Sequence, residues 1–511
     1  MRQYIGARYV PKFMGQYDNT QAYEALCVVD NGMGTSYISK IPTPANTPLT
    51  DTNYWAVYGA SSGAIINLQS QINANKRMPN VASLISNNDL AENDIVYVGG
   101  YYNLGDGGDG LFKIEASPVG FNHQLNNGLY ANNIDRDYKL PRYGGLYVDD
   151  MVNNLRPYLI NHQWAHIILP PPSQNHPGCD YYTENGVDTY FWKAWNPIIY
   201  DEHYAYTINE YYGSIMLDKD SPNSKAIFMI SDAAKPEDIY FNNLMVEGYH
   251  INGVFNMPDA AILIEGCARF NVQNLGAGYA KKSLRIGGSG GNNTAEMNFD
   301  FCELGSCTEA ALYCDNTNTS IVRINTLQIQ NILTGCEYGI FATLGAYKWH
   351  IGEMSVAVGA GQTITNFTAV YENCSPSSQD LGFDIGRLRA FSAGTGHLVH
   401  IDGYRTINTI GVIKSSNNSD SILNNALSAI LKIGLLSLSA YNNTCAVETS
   451  QNYAAIDIDK CECAITETGY NIFVSGVNTG GIQITENFGM NLDTNTSKLI
   501  IKYNGTNYNI N

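Results

Sequence analysis

The sequence predicts an all-β protein built around a right-handed parallel β-helix, and three observations lead to that fold class. The first is a pair of apolar columns. A large apolar residue, two variable residues and a second apolar residue recur nine times between Phe241 and Cys461. The pairs are Phe241/Leu244, Val272/Leu275, Phe301/Leu304, Ile324/Leu327, Ile351/Met354, Ile385/Leu388, Ile410/Ile413, Ile433/Leu436 and Ile458/Cys461. Successive first members lie 23 to 34 residues apart, an irregular period with Asn/Gly/Ser turns that marks one solenoid coil per repeat. The second observation is alternation: Met354, Val356 and Val358, then Leu327/Ile329 and Leu436/Leu438, follow the period of two of a strand with one buried face. The third is the glycine after Ile351, Ile385, Ile410 and Ile433, placed where the chain bends between two strands. Helical and leucine-rich repeats keep steadier periods, and tandem β-sandwiches do not produce two aligned columns.

Composition narrows the function. At 511 residues the chain exceeds one ordinary globular core, so several domains are expected. Only 15% of residues are charged and the net charge is −18, which argues against a nucleic-acid partner. The 11 cysteines form no regular framework. Cys302, Cys307, Cys314 and the Cys461-Glu-Cys463 pair lack the paired spacing of a zinc site, so they are expected to be small buried thiols, with no metal or cofactor. The first residues lack the apolar segment of a signal peptide, and no apolar run is long enough to span a bilayer. Membrane insertion is not expected.

The elements follow in order. Residues 1–59 form a small aromatic-rich module whose Trp55 and tyrosines either stack on sugars or fill its core. Residues 60–80 carry Ile65, Leu68 and Ile72 at the spacing of a short helical neck, stopped by Pro79. Residues 81–145 read as a small β unit around the glycine-rich loop 101–110. The two aspartates of that loop lack the ligand spacing of a calcium site, so a tight turn is expected. The β-helix runs from 146 to 475. It begins with a helix capped by Asp149 or Asp150, with Val152, Leu155 and Leu159 on its apolar face. His162 and His166 stand four apart without a third zinc ligand, so they are read as structural. Residues 476–511 make a C-terminal cap, with an Asn504-Gly505 turn joining two strands of a hairpin.

Two resemblances follow from these residues. The segments 6–13, 17–23, 35–40 and 52–55, closing on Tyr54-Trp55, resemble the small N-terminal modules of bacteriophage tail proteins, which are similar to chitin-binding modules. The glycine-rich unit, capping helix, Ile167-Ile-Leu169 strand, Pro170-Pro-Pro172 and stacked coils resemble phage tailspikes of the pectate-lyase-like β-helix superfamily. The resemblance implies a homotrimer on the virion tail, assembled in the host cytoplasm. It implies attachment to a tail or baseplate protein through the N-terminal region, and a helix that plugs the first coil. It also implies binding, and often cleavage, of a bacterial surface polysaccharide.

Chemistry is expected on the outer faces. If the columns point inward, the position before each second member points out, which gives Asn243, Asn274, Glu303, Thr326, Glu353, Arg387, Val412, Leu435 and Lys460. Glu303 and Glu353 then share a face two coils apart, ~9–10 Å between backbones, near the ~6.5–9.5 Å carboxyl separation of an inverting glycosidase. Asp300 and Glu337 are alternative carboxylates. Arg387 and Arg389, with Trp349, His350 and Thr326, are candidate substrate-binding residues, and the arginines would suit elimination from an acidic sugar. A fibre that binds glycans without cleaving them needs only aromatic platforms and amides, so this reading stands beside the catalytic one.

Overall fold

A computed structural model of the chain describes residues 11–32, 35–58, 76–159, 165–200, 207–230, 238–287, 294–315, 319–343, 348–358, 362, 364, 366–373, 382–391, 396–402, 406–415, 420–424, 429–438, 447–449, 455–463, 472–474, 481–487, 499–503 and 506–510. The neck residues Ile65, Leu68 and Ile72, His162 and the Asn504-Gly505 turn lie outside them. The chain divides into two compact units, one of residues 1–78, 83–98 and 111–134, the other of residues 79–82, 99–110 and 135–511. The glycine-rich loop thus belongs to the solenoid unit, not to the β unit expected over 81–145.

In the first unit, strands Lys12–Gln16, Cys27–Asp30, Ser36–Ser39 and Trp55–Val57 form a four-stranded sheet. Its core is Tyr23, Cys27, Val29 and Trp55, with Tyr17 edge-on to Trp55 at 5.7 Å. Trp55 and Tyr23 are buried, so of the two expected roles they take the structural one. A module this small draws most of its buried apolar volume from such aromatics.

In the second unit, loop 99–110 is organised by Asp106. Its carboxylate accepts backbone N–H groups from Tyr101, Tyr102, Asn103 and Gly108 at 2.7–3.0 Å, while Asp109 pairs with Lys139 at 2.8 Å. Both aspartates are occupied in holding the turn. The helix Val148–Leu159 follows, burying Val148, Met151, Val152 and Leu155. Asp149 lies within its first turn rather than at the cap. It is buried and accepts from the backbone N–H of Trp195 and Asn196 at 2.9 and 3.1 Å, tying the helix to the chain that enters the first coils. His166 sits 3.1 Å from Asp137, an ordinary structural contact.

Among the described residues the solenoid consists of a 15-stranded and an 11-stranded sheet, and from Thr207–Leu217 to Ala455–Cys463 each coil adds one parallel strand to the larger sheet and one to the smaller. Wherever their burial is described, the predicted columns are inside, one pair excepted. Phe241, Val272, Phe299, Ile324, Ile351, Ile385, Ile410, Ile433 and Ile458 stand in one row of backbone partners, and Leu244, Leu275, Cys302, Leu327, Met354, Leu388, Ile413, Leu436 and Cys461 in the next. In the early coils the interior is aromatic, with Phe241, Phe270 and Phe299 following one another at 5.8 Å between ring centroids, tilted or edge-on. Cys302, Cys307 and Cys314 are buried small residues, as expected, and Cys307 approaches Cys336 of the adjacent coil with 3.4 Å between sulfurs.

One coil departs from the expected register. Its column pair is Phe299/Cys302, not Phe301/Leu304. The strand Thr294–Gly305 contains two apolar pairs three apart, and the inter-coil hydrogen bonds select the earlier one. Leu304 is buried in a third row with Val246, Ala277, Ile329 and Val356.

The glycine bend has a steric cause. A Cβ at Gly352 would meet the Asn325 carbonyl oxygen at 2.6 Å, and Gly386, Gly411 and Gly434 would each meet the preceding coil's glycine carbonyl at 2.6 Å. Here two consecutive residues face outward, as in the exposed pair Gly352 and Glu353 between buried Ile351 and Met354. That double step turns the strand around the corner of the coil. Strands Leu499–Tyr503 and Thr506–Ile510 form the antiparallel hairpin expected at the C-terminal end.

Two substitutions test this packing by thermal or denaturant unfolding. Leu327→Ala should cost about 2–5 kcal/mol, since the neighbouring coils cannot collapse into the space. Gly386→Ala should also destabilise, because its methyl group has only backbone to displace. A Gly386→Ala protein as stable as the parent would refute the stacked-glycine corner.

Candidate active site

Glu247 and Glu303 come together on the outer face of the 15-stranded sheet. Glu247 ends strand Asp238–Glu247 and Glu303 lies near the end of Thr294–Gly305; with Val246, Cys302 and Leu304 buried, the period of two turns both carboxylates outward. Strand Cys267–Gly278 runs between them. It places Gly276 opposite Glu303 and Gly278 opposite Glu247, so the intervening coil presents bare backbone at both positions. The result is a cavity of ≈ 430 Å³ lined by both carboxyl groups and by Gly276, Gly278 and Gly305. A Cβ on Gly276 would lie 3.0 Å from the Met245 side chain, and one on Gly305 would lie 2.0 Å from the Gln330 carbonyl oxygen.

The walls come from departures from the regular coil. The hairpin Cys179–Glu184 with Val187–Ala194 supplies Tyr182, Thr183 and Glu184 at its tip. On another side Tyr279, Ser306 and Asn331 line the cavity. Each has a left-handed backbone, with φ of 50°, 48° and 51°. Such a conformation suits asparagine, but in a bulky tyrosine it stores on the order of 1–3 kcal/mol. The Tyr279 ring lies flat against His250, centroids 3.6 Å apart and planes within 4°. Burial lowers the pKa of His250, which favours the neutral imidazole.

Electrostatics separates the two carboxyl groups. Burial, and then the charge of Glu303, pushes the Glu247 pKa up from 4.5 to about 7. Glu247 therefore holds a proton at pH values where an exposed glutamate has lost it. A protonated carboxyl facing a carboxylate across a glycine-lined slot can deliver a proton at one side of a bound molecule and accept one at the other.

Of the residues expected from sequence, Glu303 alone lines this cavity. The expected ladder joining Glu303 to Glu353 is corrected by the register slip. Phe301 occupies the ladder position between Asn274 and Thr326, and Glu303 stands in the next outward row, with Gly276 before it and Gln328, Ser355 and Arg389 after it. Glu353 instead accepts a 2.9 Å hydrogen bond from Arg387 on the exposed face. Trp349 is corrected as a sugar platform: it is buried inside the coil at 5.6 Å from Phe383, because it shares an inward row with Val322. His350 lies 3.2 Å from Asp384, Asp300 accepts from Asn325 at 2.9 Å, and Glu337 stands at the entry to the 11-stranded sheet beside Glu309. Glu247 escaped the sequence reading because the columns stop before it. Aligning the strand ends Val246-Glu-Gly248, Ala277-Gly-Tyr279, Leu304-Gly-Ser306 and Ile329-Gln-Asn331 would have exposed both the third column and the glutamate standing in a glycine row.

Comparison with known proteins bears on the fold. No family model matches the sequence, and no curated protein matches it. The solved structures it resembles are phage tailspike proteins. The tailspike gp42 of Acinetobacter phage vb_AbaP_AS12 matches at TM-score 0.51 and 9% identity, covering 85% of this chain and 76% of that one. The enzymatically active domain of tailspike protein 4 of bacteriophage CBA120 matches at 0.39 and 14%, over 94% of this chain and 64% of that one. The full-length tailspike protein 2 of an Escherichia coli O157:H7 bacteriophage matches at 0.39 and 10%, over 93% and 66%. This chain therefore spans less than two thirds of the length of the latter two. The likeness to the Acinetobacter phage protein establishes a shared β-solenoid fold.

The perturbed carboxyl predicts a substrate-independent signature. Because the folded pKa of Glu247 lies above the unfolded 4.5, folding favours the protonated form; that contribution is complete below pH 4.5 and is lost as pH rises to about 7. Glu247→Gln should therefore be more stable than the parent at pH 8, by about 1–3 kcal/mol, with the gap closing near pH 4. Paired melts across that range read it directly, and a pH-independent difference would contradict the buried carboxyl. Gly276→Leu should leave a folded protein with the slot filled, detectable as loss of ligand binding at unchanged secondary structure.

Proposed function

We propose that the chain is a tailspike-type receptor-binding protein that hydrolyses glycosidic bonds of a bacterial surface polysaccharide in the slot between Glu247 and Glu303. The observation that carries this reading is the pair itself, one carboxyl held protonated by burial and facing a second across a glycine-lined slot. Glu247 is the general acid that protonates the leaving glycosidic oxygen, and Glu303 is the carboxylate that activates water from the opposite side. The two stand two coils apart, ~9–10 Å along the axis, with a further offset of two residues along the strand. That separation favours the wide, inverting arrangement over the ~5–5.5 Å of a retaining pair. In the same reading the polymer is the receptor, the aromatic-cored N-terminal module attaches to the phage tail, and the chain works as a homotrimer in the virion. The glycan-only alternative uses the same walls but gives no reason to bury a carboxyl beside another. Elimination is less well supported, since Arg387 is engaged by Glu353.

The test is cleavage of host surface polysaccharide followed by reducing ends and by ultraviolet absorbance. Glu247→Gln and Glu303→Gln should each lower kcat by about 10²–10⁴-fold while retaining the fold, and the first products should carry inverted anomeric configuration by NMR. Unchanged turnover in either variant would overturn the assignment. New absorbance without hydrolysis would mean elimination, and neither signal would mean binding alone. In the parent, kcat/KM should fall with rising pH through about 7 as Glu247 loses its proton, with the descending limb absent from the residual activity of Glu247→Gln.

A further inference from the structure

The cavity is charged in one sense. Three acidic side chains, Glu184, Glu247 and Glu303, border it, Glu247 as the protonated member, and among the described residues that line it there is no lysine or arginine. The remaining polar groups are amides and hydroxyls, such as Asn252, Gln330 and Ser306, and the imidazole of His250, whose protonation burial disfavours. A uronate or other acidic sugar seated here would meet like charge on two sides with no cation to offset it, an arrangement that discriminates strongly against the wrong partner.

An aromatic path leads out of the same cavity. Tyr182 lies 6.2 Å from His250, His250 stacks on Tyr279, and Tyr279 lies 6.5 Å from Phe255. Phe255 is 56% exposed, and its neighbour Val254 is also exposed. Exposed as it is, Phe255 is not loosely held. The backbones of Tyr249 and Asn256 bond reciprocally at 3.1 and 2.9 Å, closing residues 249–256 into a tight loop. The Asn256 side-chain amide donates to the carbonyls of Asp218 and Ser221, each at 3.0 Å, pinning that loop to the turn of the preceding coil. A large apolar ring held more than half exposed on a braced loop, with Tyr279 at its inner edge, is costly to hydration.

Resting on the hydrolytic reading of the slot, we propose that the substrate is an uncharged polysaccharide whose chain leaves the Glu247–Glu303 slot past His250 and Tyr279 and lays the apolar face of a further sugar on Phe255. The acidic lining selects neutral sugars, amide-bearing ones included, and Phe255 forms a distal subsite that positions long chains. Phe255 touches no reacting atom, so its effect belongs in binding and grows with chain length.

The experiment compares a neutral polysaccharide of neutral and N-acetylated hexoses with a uronate-containing one, each with the parent, Phe255→Ala, Phe255→Trp and Glu184→Lys. The neutral polymer should be cleaved with kcat/KM at least about 10-fold higher than the acidic one, and Glu184→Lys should narrow that ratio. Phe255→Ala should raise KM for long chains by about 3- to 10-fold with kcat nearly constant, Phe255→Trp should restore it, and the shortest cleavable oligosaccharide should be indifferent to both. Cleavage of the acidic polymer in preference, still abolished by Glu247→Gln, would overturn this proposal and leave the hydrolytic reading standing. Cleavage of the preferred polymer that survives Glu247→Gln would remove the hydrolytic reading instead. A Phe255→Ala protein with unchanged KM on long chains would remove the distal subsite.

Discussion

The structure depends on the parallel backbone register from one coil to the next. Each strand bonds to the strand one coil before and one coil after, so residues at equivalent positions stack at the inter-strand spacing of ~4.8 Å. A single inward choice, such as Ile351 against Ile324 and Ile385, therefore commits whole rows. Inward rows are mainly apolar because no water reaches them, and a polar member such as Asn408 is held by hydrogen bonds, its Oδ1 accepting from the Phe383 N–H at 2.8 Å. Outward rows become ladders in which side chains from distant parts of the sequence meet. Asn243 and Asn274, hydrogen-bonded at 2.9 Å across 31 residues, are one such meeting, and Glu353 with Arg387 is another.

The cavity is produced by the same rule applied to residues without side chains. A strand cannot move away from its neighbours without breaking its ladder, so the solenoid makes room on its surface by deleting side chains. Gly276 and Gly278 do this between two glutamates. The cost is visible around them. A carboxyl is desolvated, a tyrosine is held at positive φ, and a hairpin is inserted where the neighbouring coils have a plain strand. Elsewhere the solenoid satisfies its charges in pairs, as where Lys282 and Arg285 meet Asp259. Unfavourable arrangements gathered around one slot are the pattern expected of a site kept for its chemistry.

The legibility of the sequence can be judged residue by residue. Eight of the nine column pairs were read correctly because apolar burial is written locally as a spacing of three within a strand. The ninth failed because Thr294–Gly305 offers Phe299/Cys302 and Phe301/Leu304, and spacing does not rank them. That two-residue error moved Glu303 into the wrong outward row and matched it with Glu353, which the coils hold in an ion pair elsewhere. Trp349, expected among the substrate-binding residues, shares a row with Val322 and Phe383, and that row turns it inward. Glu247 left no signal of its own, since a glutamate ending a strand is usually only solvated.

The sequence by itself determined that this chain is a β-solenoid with a helix at one end of its coils and a hairpin at the other. It also determined the net charge of −18. These follow from composition and from periodicities within single strands, where neighbours in sequence are neighbours in space. Only the tertiary structure decided which outward residues share a surface. Glu247 and Glu303 stand 56 residues apart in sequence and are brought together through the one strand, Cys267–Gly278, whose ladders bond to both of theirs, with a register set by how the three coils pack.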